Sequence, residues 1–497
     1  GTGKTRLYIE LVQSCLDGNR SALILTPEIG LTPQLVERFE GHFSEEVIVM
    51  HSHQTPAQRR KQWLRVLYAE HPQIIIGPRS ALFAPIADLG VIIVDEAHEQ
   101  AYKQEQAPRY HALRVAATLA RQHNARLIIG SATLPISEYW MAEQTKTPII
   151  RLDELPGGKT IDRAIELINL KDRDSFTKSS YLSQQLIQAI ETALGQKQQS
   201  LVFLNRRGTA RLILCQNCGW NALCPHCDLP LTYHGDTHRM LCHTCGHNAQ
   251  TPSSCPSCQS ADIIFRSIGT KSIESDIKKL FPHARVKRFD TDNLTDDRLE
   301  SHFADIHAGE VDIIIGTQMI AKGLDLPKLA VVGVVIADTS LYLPDFSAEE
   351  RTYQLLTQVI GRVGRGHVAG KVVIQSYQPD SPSIQAAIRH DWSEFYKQQL
   401  DERSKFLFPP FVHLLQLTCG RVQSSSAESA ARTLATDIQK AGHAVSISGP
   451  SPAFREKQNG KYFWQLTVKS KKRQILTDIV ADLPSGWTYD LDPASLL

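Results

Sequence analysis

The sequence predicts an α/β protein with two doubly wound lobes, a cysteine-rich insertion in the second lobe, and a small α+β domain at the carboxyl end. Two observations carry this. Short, continuous apolar runs recur between helical stretches, the mark of parallel strands buried on both faces. Eight of the ten cysteines fall between residues 215 and 258, in four CxxC pairs inside the second set of strands.

The first lobe is read over residues 1–150, with strands at Ser21–Leu25, Ile74–Ile76, Val91–Val94 and Leu127–Ile129 and helical stretches at Thr32–Phe43 and Tyr110–His123. Residues 151–200, with Pro156-Gly157-Gly158, read as an interlobe connection. The second lobe starts at 201–211, is interrupted by the insertion at 212–260, and resumes over 261–398. Its expected strands are 201–204, 262–265, 311–315, 331–336 and 371–374. Phe408-Pro409-Pro410-Phe411 breaks the pattern near the start of the last domain, 399–497.

Bulk properties bound the function. The chain has 54 basic and 52 acidic residues, a net charge of +2, so any nucleic-acid affinity must come from local surfaces. No apolar run reaches the ~18–20 residues of a membrane span, so no membrane association is expected. Paired CxxC spacing in a long chain reads as metal binding under reducing conditions rather than as a disulfide framework. Cys15 and Cys419 read as plain buried thiols.

Gly1-Thr2-Gly3-Lys4-Thr5 before a helical stretch is the end of a phosphate-binding loop. In such a loop backbone amides cradle nucleotide phosphates, Lys4 reaches the β/γ-phosphates of ATP, and Thr5 ligates Mg²⁺. Val91-Ile92-Ile93-Val94-Asp95-Glu96-Ala97-His98 is a buried strand delivering two carboxylates at its end. Asp95 is placed to hold Mg²⁺ and Glu96 to polarise water. Ser131-Ala132-Thr133 follows another apolar strand as a hydroxyl pair. In Gln358-Val359-Ile360-Gly361-Arg362-Val363-Gly364-Arg365-Gly366, Arg362 and Arg365 are candidates for stabilising phosphate charge, with Gln358 beside the nucleotide.

Cys215, Cys218, Cys224, Cys227, Cys242, Cys245, Cys255 and Cys258 supply eight thiolates, enough for two Zn²⁺ sites. Spacing alone leaves their pairing open. His226, His234, His238, His243 and His247 lie nearby, but the thiolates already complete both sites. Lys469, Lys471, Lys472 and Arg473 near Tyr462-Phe463-Trp464 suit either a DNA strand or a solvated edge over core aromatics.

These elements together resemble a superfamily 2 helicase motor, whose two lobes are RecA-like. A closer resemblance rests on Thr26 to Gln34, Gly77-Pro78-Arg79-Ser80-Ala81-Leu82-Phe83, Tyr102 to Glu105 with Pro108 to His111, Leu204 to Gly208, Gly316 to Gly323, and Pro344-Asp345-Phe346 with Glu350, Arg351 and Gln354. These segments are similar to those of the bacterial primosomal helicase family, PriA (primosomal protein N′), and the likeness runs to Asp492–Leu497. Departures are Pro78 for the usual Thr, Leu324-Asp325-Leu326 for His-Asp-Phe, Val363 for Ala, and Ala97 in a DEAH where DEEH is frequent.

The resemblance implies an ATP-dependent 3′-to-5′ DNA helicase that recognises stalled forks and helps restart replication. ATP, Mg²⁺ and two Zn²⁺ are its implied cofactors. Implied partners are forked and single-stranded DNA, other primosome proteins and single-stranded-DNA-binding protein, in the cytoplasm. It also implies nested metal pairing, with 215/218 sharing one ion with 255/258 and 224/227 the other with 242/245. Thr26, Arg79, Arg109, Tyr110, Thr317 and Gln318 become candidate DNA contacts. In the family, a 3′-end-binding domain, a winged helix and the strand entering the phosphate loop precede the position of residue 1. Residues 1–497 alone are therefore expected to hydrolyse ATP weakly. The rival expectation is a non-enzymatic, zinc-dependent primosome assembly platform with a weak motor.

Overall fold

The computed structural model describes residues 3–27, 32–43, 47–51, 54–152, 163–205, 213–215, 217–226, 229–234, 238–261, 263–264, 270–289, 303–317, 326–363 and 369–497. The chain divides into two compact units near residue 160.

The first unit is a parallel sheet of β1 (Ser21–Leu25), β2 (Val47–Val49), β3 (Ile74–Gly77), β4 (Leu89–Val94) and β5 (Arg126–Ile129), in the order β2-β3-β1-β4-β5. Every residue of β1, β3 and β4 is buried, which is why their sequences are continuous apolar runs. Alternate side chains feed two cores. Leu23, Leu25, Ile75, Ile92 and Val94 pack on one face with Leu113 and Ala116 of the helix Ala112–Gln122. Ala22, Ile24, Ile74, Ile76, Val91 and Ile93 pack on the other with Tyr8 and Val12 of the helix Lys4–Asp17 and with Phe39. Each Val, Leu or Ile side chain among them contributes about 1.5–3 kcal/mol by leaving water. Parallel pairing with helices on both faces also sends the functional loops to the carboxyl edge of the sheet.

The second unit opens with β6 (Arg163–Asn169), the helix Gln184–Gly195 and β7 (Gln199–Phe203). The cysteine-rich insertion then carries β8 (Leu214–Cys215), β9 (Thr232–His234), β10 (Arg239–Leu241), β11 (Asn248–Gln250) and β12 (Ile263–Ile264). The lobe resumes with β13 (Val286–Phe289), β14 (Ile313–Gly316), β15 (Leu329–Val334) and β16 (Gly370–Ser376). Its parallel sheet runs β13-β14-β7-β15-β16-β6.

Two readings of the sequence are corrected here. The apolar run at 262–265 is no strand of this sheet: Ile263 and Ile264 pair antiparallel with Cys215 and Leu214 and close the base of the insertion. Residues 163–195, read as connection, supply an edge strand and a packing helix whose Leu186 and Ile190 are fully buried.

The last domain is an antiparallel sheet of β17 (His413–Arg421), β18 (Ser446–Gln458), β19 (Lys461–Ser470) and β20 (Trp487–Leu491), in the order β18-β19-β17-β20. Leu415, Leu417, Leu466 and Val468 face the helices Ser424–Lys440 and Arg473–Ala481. Among the described residues no helix is long and apolar enough to cross a membrane.

Candidate active site and metal centres

Lys4 starts the first helix of the chain. The residue before it, Gly3, has φ 91°, a left-handed conformation that only glycine adopts freely. β4 ends at Val94, and Asp95 and Glu96 follow at the same edge of the sheet. Lys4 Nζ donates to Glu96 Oε1 at 2.7 Å and lies 3.8 Å from Asp95 Oδ1. Tyr8, one helical turn on from Lys4, donates its hydroxyl to Asp95 Oδ1 at 3.0 Å. Burial raises the Asp95 carboxyl above the usual range and the Glu96 carboxylate adds to this, while Lys4 opposes both. A buried acid raised in this way is one that a divalent cation can hold ionised.

Glu96 itself has φ 47°, rare for a residue with a β-carbon, and the surroundings fix it there. The Asp95 amide donates to Leu25 O at 3.0 Å, the Ala97 amide to Gly130 O at 3.0 Å, and the Glu99 amide to Glu96 O at 2.9 Å. From below, the buried Tyr102 hydroxyl donates to Leu25 O at 2.9 Å and to Asp95 O at 2.5 Å. His98 Nδ1 meets Ser131 Oγ at 2.6 Å and lies 3.6 Å from Glu96 Oε2. Gly130 has no room for a side chain, because a β-carbon there would lie 1.8 Å from Tyr8 Oη. Thr5 is half-buried in the first turn of the helix. The structure thus brings Lys4, Asp95, Glu96 and the Ser131-Ala132-Thr133 segment together; Gly1 and Thr2 lie outside the described residues.

In the insertion, the Sγ atoms of Cys215, Cys218, Cys255 and Cys258 all lie within 4.8 Å of one another, and so do those of Cys224, Cys242 and Cys245. Cys227 lies outside the described residues. Sγ–Sγ separations are 3.6 Å for 215–258, 3.5 Å for 218–255 and 3.6 Å for 224–245. A tetrahedral Zn²⁺ with ~2.3 Å bonds sets thiolates about 3.8 Å apart, so the donor set fits that ion. Burial pushes the Cys215 thiol up to about 12, whereas the Ser260 amide and the Asn217 side chain pull half-buried Cys258 down to about 6. A cation bound among them would favour the thiolate at the buried position.

Among the described residues, three knuckles share one local design. The amide four residues after the first cysteine donates back to that cysteine's carbonyl in Gly219→Cys215, Gly246→Cys242 and Gln259→Cys255, at 2.8, 2.9 and 2.9 Å. Those three residues have φ values of 72°, 82° and 59°. The glycines after two of the CxxC pairs are therefore part of the knuckle.

Comparison with known proteins matches residues 1–141 to the DEAD/DEAH box helicase family and 255–367 to the helicase conserved C-terminal domain. Residues 224–249 match the PriA DNA helicase Cys-rich region domain, and 404–494 the primosomal protein N C-terminal domain. The replication restart protein PriA of Treponema pallidum (strain Nichols) is 34% identical over 511 residues, covering all of this chain and 76% of that one. The chain belongs to the PriA family. Its relative in Bacillus subtilis (strain 168) is 37% identical over 497 residues, with 99% of this chain and 61% of that one covered. The one in Haemophilus influenzae is 37% identical over 478 residues, with 96% and 65% covered. The chain thus spans 61% to 76% of the length of these PriA relatives.

The remaining PriA-like segments fall as follows. Thr26 and Thr317 follow β1 and β14 and are buried, at 2% and 6% exposure. Arg79 turns inward: its guanidinium donates to Lys103 O at 3.1 Å and to Ala101 O. It thereby ties the turn after β3 to the aromatic-rich loop. In that loop the Gln104 amide donates to Tyr110 O at 2.8 Å, and Tyr110 packs edge-on to Phe83 at 5.3 Å. Arg109 is exposed, its Nε donating to Glu105 O at 2.8 Å. Gln358 and Arg362 are half-buried at the end of the helix Ala348–Ile360 and just beyond it. Gln318 and Arg365 lie outside the described residues. In the last domain Lys469 sits 3.8 Å from the Phe408 ring centroid and Arg473 Nε donates to Asp492 at 3.0 Å, so both serve internal contacts.

Sequence reasoning gave no role to Tyr8 or His98. The i,i+4 spacing of Lys4 and Tyr8 is a signal for the first. The second closes the DEAH segment, and only the fold supplies its partner, Ser131.

Proposed function

We propose that the chain is the motor and zinc-binding body of an ATP-dependent 3′-to-5′ DNA helicase that recognises stalled replication forks and helps restart replication. The observation that carries the reading is the meeting of Lys4, Asp95 and Glu96 at the carboxyl edge of a parallel sheet. An incoming nucleotide phosphate competes with Glu96 for Lys4, which frees Glu96 to orient and polarise water. Asp95 and Thr5 hold Mg²⁺, which neutralises phosphate charge. Arg362 and Arg365 stabilise charge on the transferring phosphoryl group, with Gln358 beside the nucleotide. The two Zn²⁺ ions are structural, since four thiolates leave no open position at either site. Thr26, Arg79, Arg109, Tyr110, Thr317 and Gln318 are the proposed strand-contacting set, Arg79 acting through the loop it holds. Polarity, fork recognition, a cytoplasmic location, and partnership with primosome proteins and single-stranded-DNA-binding protein rest on likeness to the PriA family.

The test is steady-state ATP turnover by the full-length gene product with and without forked DNA, beside its Lys4→Ala variant. Fork-stimulated turnover that falls at least ~10²-fold in the variant is expected, because Lys4 is the cation on the transferring phosphates. Fork binding without turnover would overturn the reading.

A further inference from the structure

Asp345 is a fully buried carboxylate with five donors around it. Its Oδ1 accepts from the Ser347 amide at 2.9 Å and the Ser347 hydroxyl at 2.7 Å. Its Oδ2 accepts from the Ser495 hydroxyl, the Leu496 amide at 3.2 Å and Arg351 Nη2 at 3.4 Å. Arg351 also donates to Ala494 O at 2.8 Å. One carboxylate therefore joins the start of the helix Ala348–Ile360 to the segment Asp492–Leu497.

That segment is anchored at its other end. The Asp492 amide donates to Leu414 O at 2.8 Å, and its carboxylate meets His413 Nδ1 at 3.1 Å and Arg473 Nε at 3.0 Å. Leu496 is buried in a small core with Val412 and Leu414, against Phe346 and Phe408. A second brace holds the first turn of the same helix: Glu350 pairs with buried Arg403 at 2.7 Å. The far end of this rigid helix carries Gln358 and leads through Gly361 to Arg362. A shift at one end of a helix is passed to the other, because backbone hydrogen bonds fix its length.

We propose that the segment Asp492–Leu497 is a strut that sets the position of Arg362, with Asp345 and Ser495 as positioning residues for phosphate chemistry. The strut rests on the motor reading above. The last domain then serves the motor directly, through a buried carboxylate that gains two of its five donors, Ser495 and Leu496, only when the strut is seated.

The experiment measures kcat and KM for ATP, on forked DNA, in the full-length gene product and its Ser495→Ala, Ser495→Thr and Arg362→Ala variants. Folded fraction and zinc content are measured alongside. Ser495→Ala is expected to lower kcat roughly tenfold with KM unchanged, since an ångström-scale misplacement of a catalytic group costs up to ~10²-fold. Ser495→Thr keeps the hydroxyl and is expected to restore kcat. Unchanged kcat in Ser495→Ala overturns the strut, and so does a loss that merely follows the folded fraction. Full turnover in Arg362→Ala, by contrast, removes Arg362 from the phosphate chemistry and the strut with it, while absence of turnover in the unaltered protein overturns the motor reading beneath both.

Discussion

Glu96→Gln is expected to remove ATP turnover while leaving nucleotide binding intact. The amide matches the carboxylate in size and can keep the Lys4 contact seen at 2.7 Å, but it cannot polarise water as a base. General-base loss typically costs ~10²–10⁴-fold in rate. Lys4, Thr5 and the phosphate-loop amides are untouched, so affinity for ATP should hold within about threefold, less than 1 kcal/mol. The left-handed backbone at Glu96 strengthens the expectation, since such a geometry is kept at a cost where a side chain must be aimed. Steady-state hydrolysis and equilibrium nucleotide binding on the same preparation check it. Turnover within tenfold of the unaltered protein would assign the base elsewhere.

Loss of the inner metal site is expected to loosen the last domain as well as the insertion. His243 stands between Cys242 and Cys245 and is only 3% exposed. Its Nδ1–H donates to Pro452 O at 2.8 Å, its carbonyl accepts from Ser451 Oγ at 2.6 Å and Gln465 Nε2 at 3.0 Å, and its ring packs edge-on to Phe454 at 5.4 Å. Gly246, in the same knuckle, approaches the last domain so closely that a β-carbon on it would lie 3.2 Å from Pro450 O. A metal that fixes the 242–245 turn therefore also fixes the docking of β18 and β19. Structural zinc binding is worth ~10–16 kcal/mol in small folds, enough to decide whether such a turn is ordered. Cys242→Ser should lose about one of two ions, and amide exchange should rise at Ser451, Ala453 and Phe454 and near Gln465. Exchange in β1 and β4 of the first unit should not change. Unaltered exchange at Ser451, Ala453 and Phe454 after confirmed metal loss would mean that the docking stands without the ion.

How much of this was legible depended on burial. β1, β3 and β4 announce themselves because both faces are covered and every residue but Ser21 is apolar or glycine. β2 (Val47–Val49) is an apolar run no shorter than Ile74–Ile76 that went unread, whereas β6 and β13 stand at the edges of their sheet with polar alternation and gave no run to find. The run at 262–265 was visible as extended chain, but a short apolar run does not say which sheet it joins. Asp95 and Glu96 were legible because the strand before them fixes where they emerge. Arg79 was not, since its carbonyl partners at 101 and 103 come from a loop that only the fold brings near. Cysteine spacing gave the eight thiolates and left their grouping open; folding sets 215/218 beside 255/258 and Cys224 beside 242/245. The strut at Asp345 lay beyond sequence reasoning, because 150 residues separate Asp345 from Ser495.

The measurement closest to the central claim is strand separation by the full-length gene product on forked duplexes whose single-stranded arm ends either 3′ or 5′. ATP-dependent unwinding, favoured when translocation runs 3′ to 5′ on the loaded arm and absent with Lys4→Ala, is the predicted result. Tight, zinc-dependent fork binding with no unwinding on either substrate would contradict the motor and leave an assembly platform in its place.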